Sequence, residues 1–108
     1  MIYTIEEITA RITPVAKKYG IPAVYLFGSY ARGTATEDSD VDLLIDMTGV
    51  KLTGMFAFGG VYNDFEEALG KEIDLVTVDA LEQPCRRESD ICFRNQVNRD
   101  RRKIYAAA

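Results

Sequence analysis

The chain has 108 residues, with 13 basic and 17 acidic side chains giving a net charge of −4, 47% apolar and 28% charged residues, and no histidine. That balance bounds one small globular domain and leaves no room for a second core. The missing imidazole excludes Ser-His-Asp and Cys-His catalysis, HExxH zinc sites and any His-based general acid, so chemistry here must rest on carboxylates.

Thr4-Ile5-Glu6-Glu7 fits a capping box, and Ile5, Ile8, Ile12, Val15 and Tyr19 recur at helical spacing up to Gly20, a C-terminal cap. Pro14 falls inside this pattern and is expected to kink the helix or restart it with Thr13 as a cap. Ile21-Pro22 forces extended backbone, and residues 23–27 make a short apolar strand delivered to a turn at Gly28. After Gly28-Ser29-Tyr30-Ala31-Arg32-Gly33 and a polar stretch, residues 40–46 read as a second strand, with Asp40 and Asp42 on one face. Residues 47–54 read as a loop and 55–69 as an amphipathic helix weakened by Gly59-Gly60 and capped by Gly70. Met55, Phe56 and Phe58 are expected in the core rather than on a base-stacking surface.

Residues 73–78 read as a third strand with Asp74 its single charge, and residues 89–105 as a terminal helix. The expected organisation is one domain over 1–105 with a frayed or appended tail at 106–108. Cys85 and Cys92, seven apart in a segment that reads as helix, would lie two turns apart, too distant for a relaxed disulfide, and are expected to be packing residues. Without histidine or a CxxC pair they make no zinc set. No apolar run approaches the roughly 18 residues of a membrane span and MIYTIEE lacks the pattern of a signal peptide, so a cytoplasmic location is expected. Charge is uneven: residues 86–103 hold seven basic and three acidic side chains, a net +4 against −8 elsewhere. Such a basic helix is a solvated face or a dock for an acidic partner or polynucleotide.

The informative constellation is Gly28-Ser29, ten residues, then Asp40-x-Asp42, with Asp74 downstream. A Gly-Ser at a strand-to-helix turn lets backbone approach a phosphate, supplies amide donors and adds a hydroxyl. Asp40 and Asp42, two apart on a strand, can share Mg²⁺ with phosphate oxygens, and Asp74 from a neighbouring strand could complete the set. Two ions roughly 3.5–4 Å apart would stabilise the attacking and leaving oxygens of an in-line displacement at phosphorus, and the implied reaction class is nucleotidyl transfer. An EF-hand opening at Asp38 fails, because position six is Leu43 and position twelve Gly49. Merely solvated acids would not explain why Asp42 and Asp74 interrupt apolar strand runs. Arg32, one turn after Ser29, either reaches a phosphate or pairs with Asp38.

Gly28-Ser29-Tyr30-Ala31-Arg32-Gly33, Asp38-Ser39-Asp40-Val41-Asp42-Leu43 and Ile73-Asp74-Leu75-Val76 together resemble the minimal nucleotidyltransferases (MNT) of the polymerase-β-like superfamily, the antitoxins of HEPN–MNT toxin–antitoxin pairs. The resemblance covers most of the chain. It implies an α/β (α+β) fold with a small mixed β-sheet flanked by helices, ATP as donor, Mg²⁺, and transfer of AMP to a tyrosine of a cognate HEPN ribonuclease toxin, which silences it. By position, Gly28 and Ser29 would hold the triphosphate with Arg32 beside them. Asp40 and Asp42 would bind metal, and Asp74 would bind metal or activate the acceptor hydroxyl. The chain is not itself the toxin, whose ribonuclease motif needs a histidine.

Size points the same way: three strands spent on a nucleotide and metal site leave little to bind an acceptor, so the acceptor is expected on another molecule. A binding-only antitoxin, masking its partner through the basic segment 86–103, is one alternative. Transfer to a small molecule is another, and it wants an acceptor-binding domain unless a homo-oligomer supplies it. Polynucleotide extension ranks last, because a net charge of −4 disfavours a long phosphate backbone.

Overall fold

The computed structural model describes residues 2–50, 57–84 and 87–107. The first helix, α1 (Ile5–Tyr19), opens with the expected capping box: the Glu7 amide donates to Thr4 Oγ1 at 3.1 Å and the Thr4 amide to Glu7 Oε1 at 3.0 Å. It ends on Gly20 as its cap. Pro14 neither ends nor restarts it. Pro14 and Ala10 both face solvent, so the carbonyl that loses its helical donor can reach water, and Thr13 bonds back to the Thr9 carbonyl at 2.6 Å instead of capping a new helix.

Strand β1 (Ala23–Phe27) runs into a five-residue helix, α2 (Gly28–Arg32), followed by β2 (Val41–Asp46), the helix α3 (Ala57–Leu69) and β3 (Ile73–Thr77). The expected third strand loses Val78, because the Thr77 hydroxyl accepts from the Ala80 amide at 3.1 Å and caps a short helix, α4 (Val78–Glu82). The long terminal helix expected over 89–105 is corrected. Helix α5 (Glu88–Asp100) stops where Arg101 turns extended, and β4 (Arg102–Ala106) returns to the sheet. The reason is tertiary: β1 would otherwise be an unpaired edge, and β4 pairs with it while Ile104 and Tyr105 pack on the core. The tail boundary moves accordingly, since Ala106 belongs to β4 and the Ala107 amide donates to the Pro22 carbonyl at 2.8 Å.

The sheet order is β3-β2-β1-β4, with β2 parallel to β3 and both other pairs antiparallel, the expected small mixed sheet. The parallel pair needs a crossover, which α3 provides. On one face of the sheet, Val24, Leu26, Val41, Leu43, Ile45 and Ile73 pack against Ile8 and Ile12 of α1 and Val61, Phe65 and Leu69 of α3. On the other, Phe27 and Leu44 pack against Leu81 of α4 and Val97 of α5. Two packing expectations are corrected. Phe58, in the first turn of α3, is 37% exposed, while Met55 and Phe56 lie outside the described residues. Cys92 is an exposed free thiol on α5, not a packing residue, and Cys85 lies outside the described residues. Among the described residues no helix is long and apolar enough to cross a membrane.

Candidate active site

The register across three strands builds the site. Phe27, the last residue of β1, pairs with Asp42, and Asp42 pairs with Asp74. Because β1 runs antiparallel to β2 and β3 runs parallel to it, the C-terminal end of β1 and the N-terminal ends of β2 and β3 share one edge of the sheet. Gly28 follows Phe27 directly, so the Gly-Ser turn and both acids meet there. Strand alternation places Asp42 on the same face as Leu44, the face that α4 and α5 only partly cover.

Gly28 sits at φ +74°, and a Cβ built on it would lie 2.0 Å from Asp42 Oδ2 and 2.9 Å from its Cγ. The carboxylate therefore occupies the space that a side chain at residue 28 would fill, and only glycine satisfies both the backbone angle and that clearance. Burial, foremost, pushes the Asp42 carboxyl up to about 7; a hydrogen bond with the Asp74 side chain and the charges of Asp74 and Asp40 add to this, while Arg32 opposes it.

Of the three expected metal ligands, the structure brings Asp42 and Asp74 together and leaves Asp40 solvent-exposed, one residue ahead of β2, acting on Asp42 by charge. Among the described residues no three acidic or cysteine side chains are gathered closely enough to form a ligand set as they stand. The donor chemistry of the pair nevertheless suits a hard cation: carboxylate oxygens, half-buried at Asp42 and exposed at Asp74, mutually repelling once ionised, at the mouth of an open cleft. Asp38 is exposed, and of the two alternatives for Arg32 the pairing with Asp38 is not the one made. Arg32 Nη1 instead donates to Asp100 Oδ2 on α5 at 2.6 Å, and the Asp100 side chain is only 8% exposed. Arg32 also lines the cleft beside Gly28 and Ser29.

The cleft measures about 720 Å³ and is lined at its polar end by Gly28, Ser29, Arg32, Asp42 and Asp74. Its remaining wall was not foreseen from the sequence: Phe93, Gln96, Val97 and Asp100 of α5 face into it, beside Leu75 and Val76 of β3. Spacing of three, four and seven residues puts these four on one helix face, a signal present in the sequence but masked by the basic residues among them. The basic segment is accordingly not one helix. Arg99 lies in the last turn of α5, whereas Arg101 and Lys103 leave it and stack on the Tyr25 ring at 5.1 and 5.7 Å.

Loop 34–40, which carries Asp40, is tied down by Lys71. Its ammonium donates to the Tyr30 hydroxyl and to the Glu37 carbonyl, both at 3.1 Å, joining the Gly-Ser helix to the approach of β2.

Comparison with known proteins agrees with this geometry. The nucleotidyltransferase domain family matches residues 11–104. Protein adenylyltransferase MntA of Thermococcus cleftensis is 37% identical over 82 residues, covering 72% of this chain and 81% of that protein. A chain in a crystal structure of a toxin–antitoxin with AMP-PNP superposes with a TM-score of 0.65 at 22% identity, over 92% of this chain and 73% of that one. A chain in the structure of tri-AMPylated Shewanella oneidensis HEPN toxin in complex with MNT antitoxin gives 0.60 at 17% identity, over 96% and 74%. The last two likenesses speak for the fold alone. On the family match and the sequence relative together, the chain belongs to the nucleotidyltransferase domain family and is a nucleotidyltransferase.

Proposed function

We propose that this nucleotidyltransferase uses Mg²⁺ to transfer AMP from ATP to a tyrosine of a cognate HEPN-type toxin, and that it acts thereby as an antitoxin. The observation that carries the reading is the Asp42–Asp74 pair, in register on adjacent parallel strands and pressed against Gly28. Support for the acceptor class comes from the relatives, one named a protein adenylyltransferase and another an antitoxin seated on an AMPylated HEPN toxin.

Asp42 and Asp74, with Asp40 beside them, would hold Mg²⁺, which when bound offsets the negative charge of the phosphates. Ser29 and the backbone at Gly28 face the same end of the cleft and would hold the triphosphate. The acceptor oxygen forms its bond to the α-phosphorus as the bond to the departing pyrophosphate breaks. In a chain without histidine, the carboxylates at the cleft are the side chains suited to receive the acceptor proton. The greater exposure of Asp74 at the mouth of the cleft supports assigning that role to it rather than to Asp42.

The test is incubation of the chain with labelled ATP, Mg²⁺ and the protein encoded beside it. Label on a tyrosine of that partner is expected, together with its loss in Asp42→Asn. Protection of cells that survives Asp40→Asn plus Asp42→Asn would instead establish neutralisation by binding alone.

A further inference from the structure

The cleft is divided in chemistry as a nucleoside triphosphate is. Asp42, Asp74, Ser29 and Gly28 meet where the strands end beside Phe27; Phe93 and Val97 of α5 and Leu75 and Val76 of β3 supply apolar surface to the rest, with Asp100 on the α5 side paired to Arg32. Phe93 is the unusual member. It is 49% exposed although large and aromatic, and it stands perpendicular to the buried Phe27 ring, with centroids 6.1 Å apart and planes at 83°. A ring held in a T-shape by one other aromatic has at most one face covered by it, which leaves a face for a planar ligand.

One turn along α5, Gln96 also faces the cleft, and its amide is oriented by a neighbour. Gln96 Nε2 donates to Asp100 Oδ2 at 3.3 Å, and that same oxygen receives Arg32. A carboxylate accepts and does not donate, so the amide nitrogen points to Asp100 and the amide oxygen is the end presented as an acceptor.

We propose that this face of α5 is the base subsite of the donor nucleotide, Phe93 stacking on the base and Gln96 Oε1 accepting from an exocyclic amine. Adenine offers that amine at its six position, where guanine offers a carbonyl oxygen that would meet Gln96 Oε1 as acceptor against acceptor. The inference rests on the nucleotidyl-transfer reading and adds to it which residues hold the base and why adenine is preferred over guanine.

Calorimetric titration of the whole chain with ATP, GTP and inorganic tripolyphosphate, each in Mg²⁺, tests it. Wild type is expected to bind ATP more tightly than GTP. Phe93→Ala should weaken ATP about tenfold or more, within the range that loss of one base–aromatic stack produces, and leave tripolyphosphate unchanged. Phe93→Tyr should restore ATP binding, and Gln96→Leu should bring ATP and GTP together. Equal ATP affinity in Phe93→Ala, an equal loss for tripolyphosphate, or an unaltered ATP-to-GTP ratio in Gln96→Leu would overturn the assignment. Failure of the wild type to bind any of the three would instead overturn the nucleotidyl-transfer reading beneath it.

Discussion

Asp42 Oδ2 stands 2.0 Å from where a Cβ on Gly28 would be, so the acid and the glycine share one volume. Gly28→Ala should therefore do two things: strain a backbone held at φ +74° and push the Asp42 carboxylate off its position. Transfer activity should fall at least a hundredfold, with a stability loss of about 1–3 kcal/mol. Gly33, at φ +79° with nothing within 4 Å of its would-be Cβ, is the control. Gly33→Ala should lose about 1–2 kcal/mol from the backbone alone and keep activity in the fraction that folds. Urea denaturation and label transfer on the same preparations separate the two effects.

The acid pair predicts a pH dependence of stability when divalent cations are chelated. Asp42 rises from its ordinary 3.8 to about 7 on folding, chiefly through burial, so between those values the native chain holds a proton that the unfolded chain has released. Stability must then fall as pH rises through that window and level off above it. Asp46 and Asp64 have carboxyls held below their ordinary value, by bonds from Thr48 and from Tyr19 and Lys18 respectively, so their contributions are already complete by pH 5. The urea midpoint should drop between pH 5 and pH 8 in chelator, and Asp42→Asn should remove most of that drop. Millimolar Mg²⁺ should raise the midpoint more at pH 8 than at pH 5. A flat profile in chelator would contradict the raised carboxyl of Asp42.

Arg32 and Asp100 join α2 to α5 across the cleft, and a double-mutant cycle measures the tie. Arg32→Gln with Asp100→Asn should show a coupling of about 1 kcal/mol, above the exposed-pair median because the Asp100 side chain is 8% exposed. The cycle of Arg32→Gln with Asp38→Asn should return about zero, since those two residues do not pair.

Lys71 should act on the metal site through the loop it anchors rather than by contact with substrate. With Lys71→Met, Tyr30 and the Glu37 carbonyl lose their shared ammonium donor and the approach to Asp40 loosens. The Mg²⁺ concentration for half-maximal transfer should rise severalfold while kcat at saturating Mg²⁺ is largely kept, and Lys71→Arg should recover part of the shift. A uniform fall in kcat at every Mg²⁺ concentration would argue against the anchoring role.

Elements whose signals are local were legible from the chain. Thr4 and Glu7 announce the start of α1, Gly20 and Gly70 close their helices, and the apolar run into Gly28-Ser29 declares a strand delivered to a turn. Local signals failed where a neighbour decided. Arg102-Lys103-Ile104-Tyr105 follows a helix and continues its register on paper, yet it is a strand because β1 presents a free edge and the core a place for Ile104 and Tyr105. Phe58 and Cys92 read as core residues by residue type and are exposed: Phe58 shares the spacing of Val61 and Phe65 but sits in the first turn of α3, and Cys92 lies outside the set Phe93, Gln96, Val97 and Asp100 that lines the cleft.

The sequence by itself determined the chemistry available: no histidine, a Gly-Ser turn, and acids that interrupt apolar strands, because residue type and spacing along one chain are local properties. Only the tertiary structure decided which of those groups meet. Strand direction and register set Asp74 beside Asp42 and left Asp40 at the rim, and the return of α5 across the sheet supplied Phe93, Gln96 and Asp100 as the far wall. Contacts between residues thirty or more apart depend on how strands pair and helices pack, and no periodicity along the chain encodes that pairing.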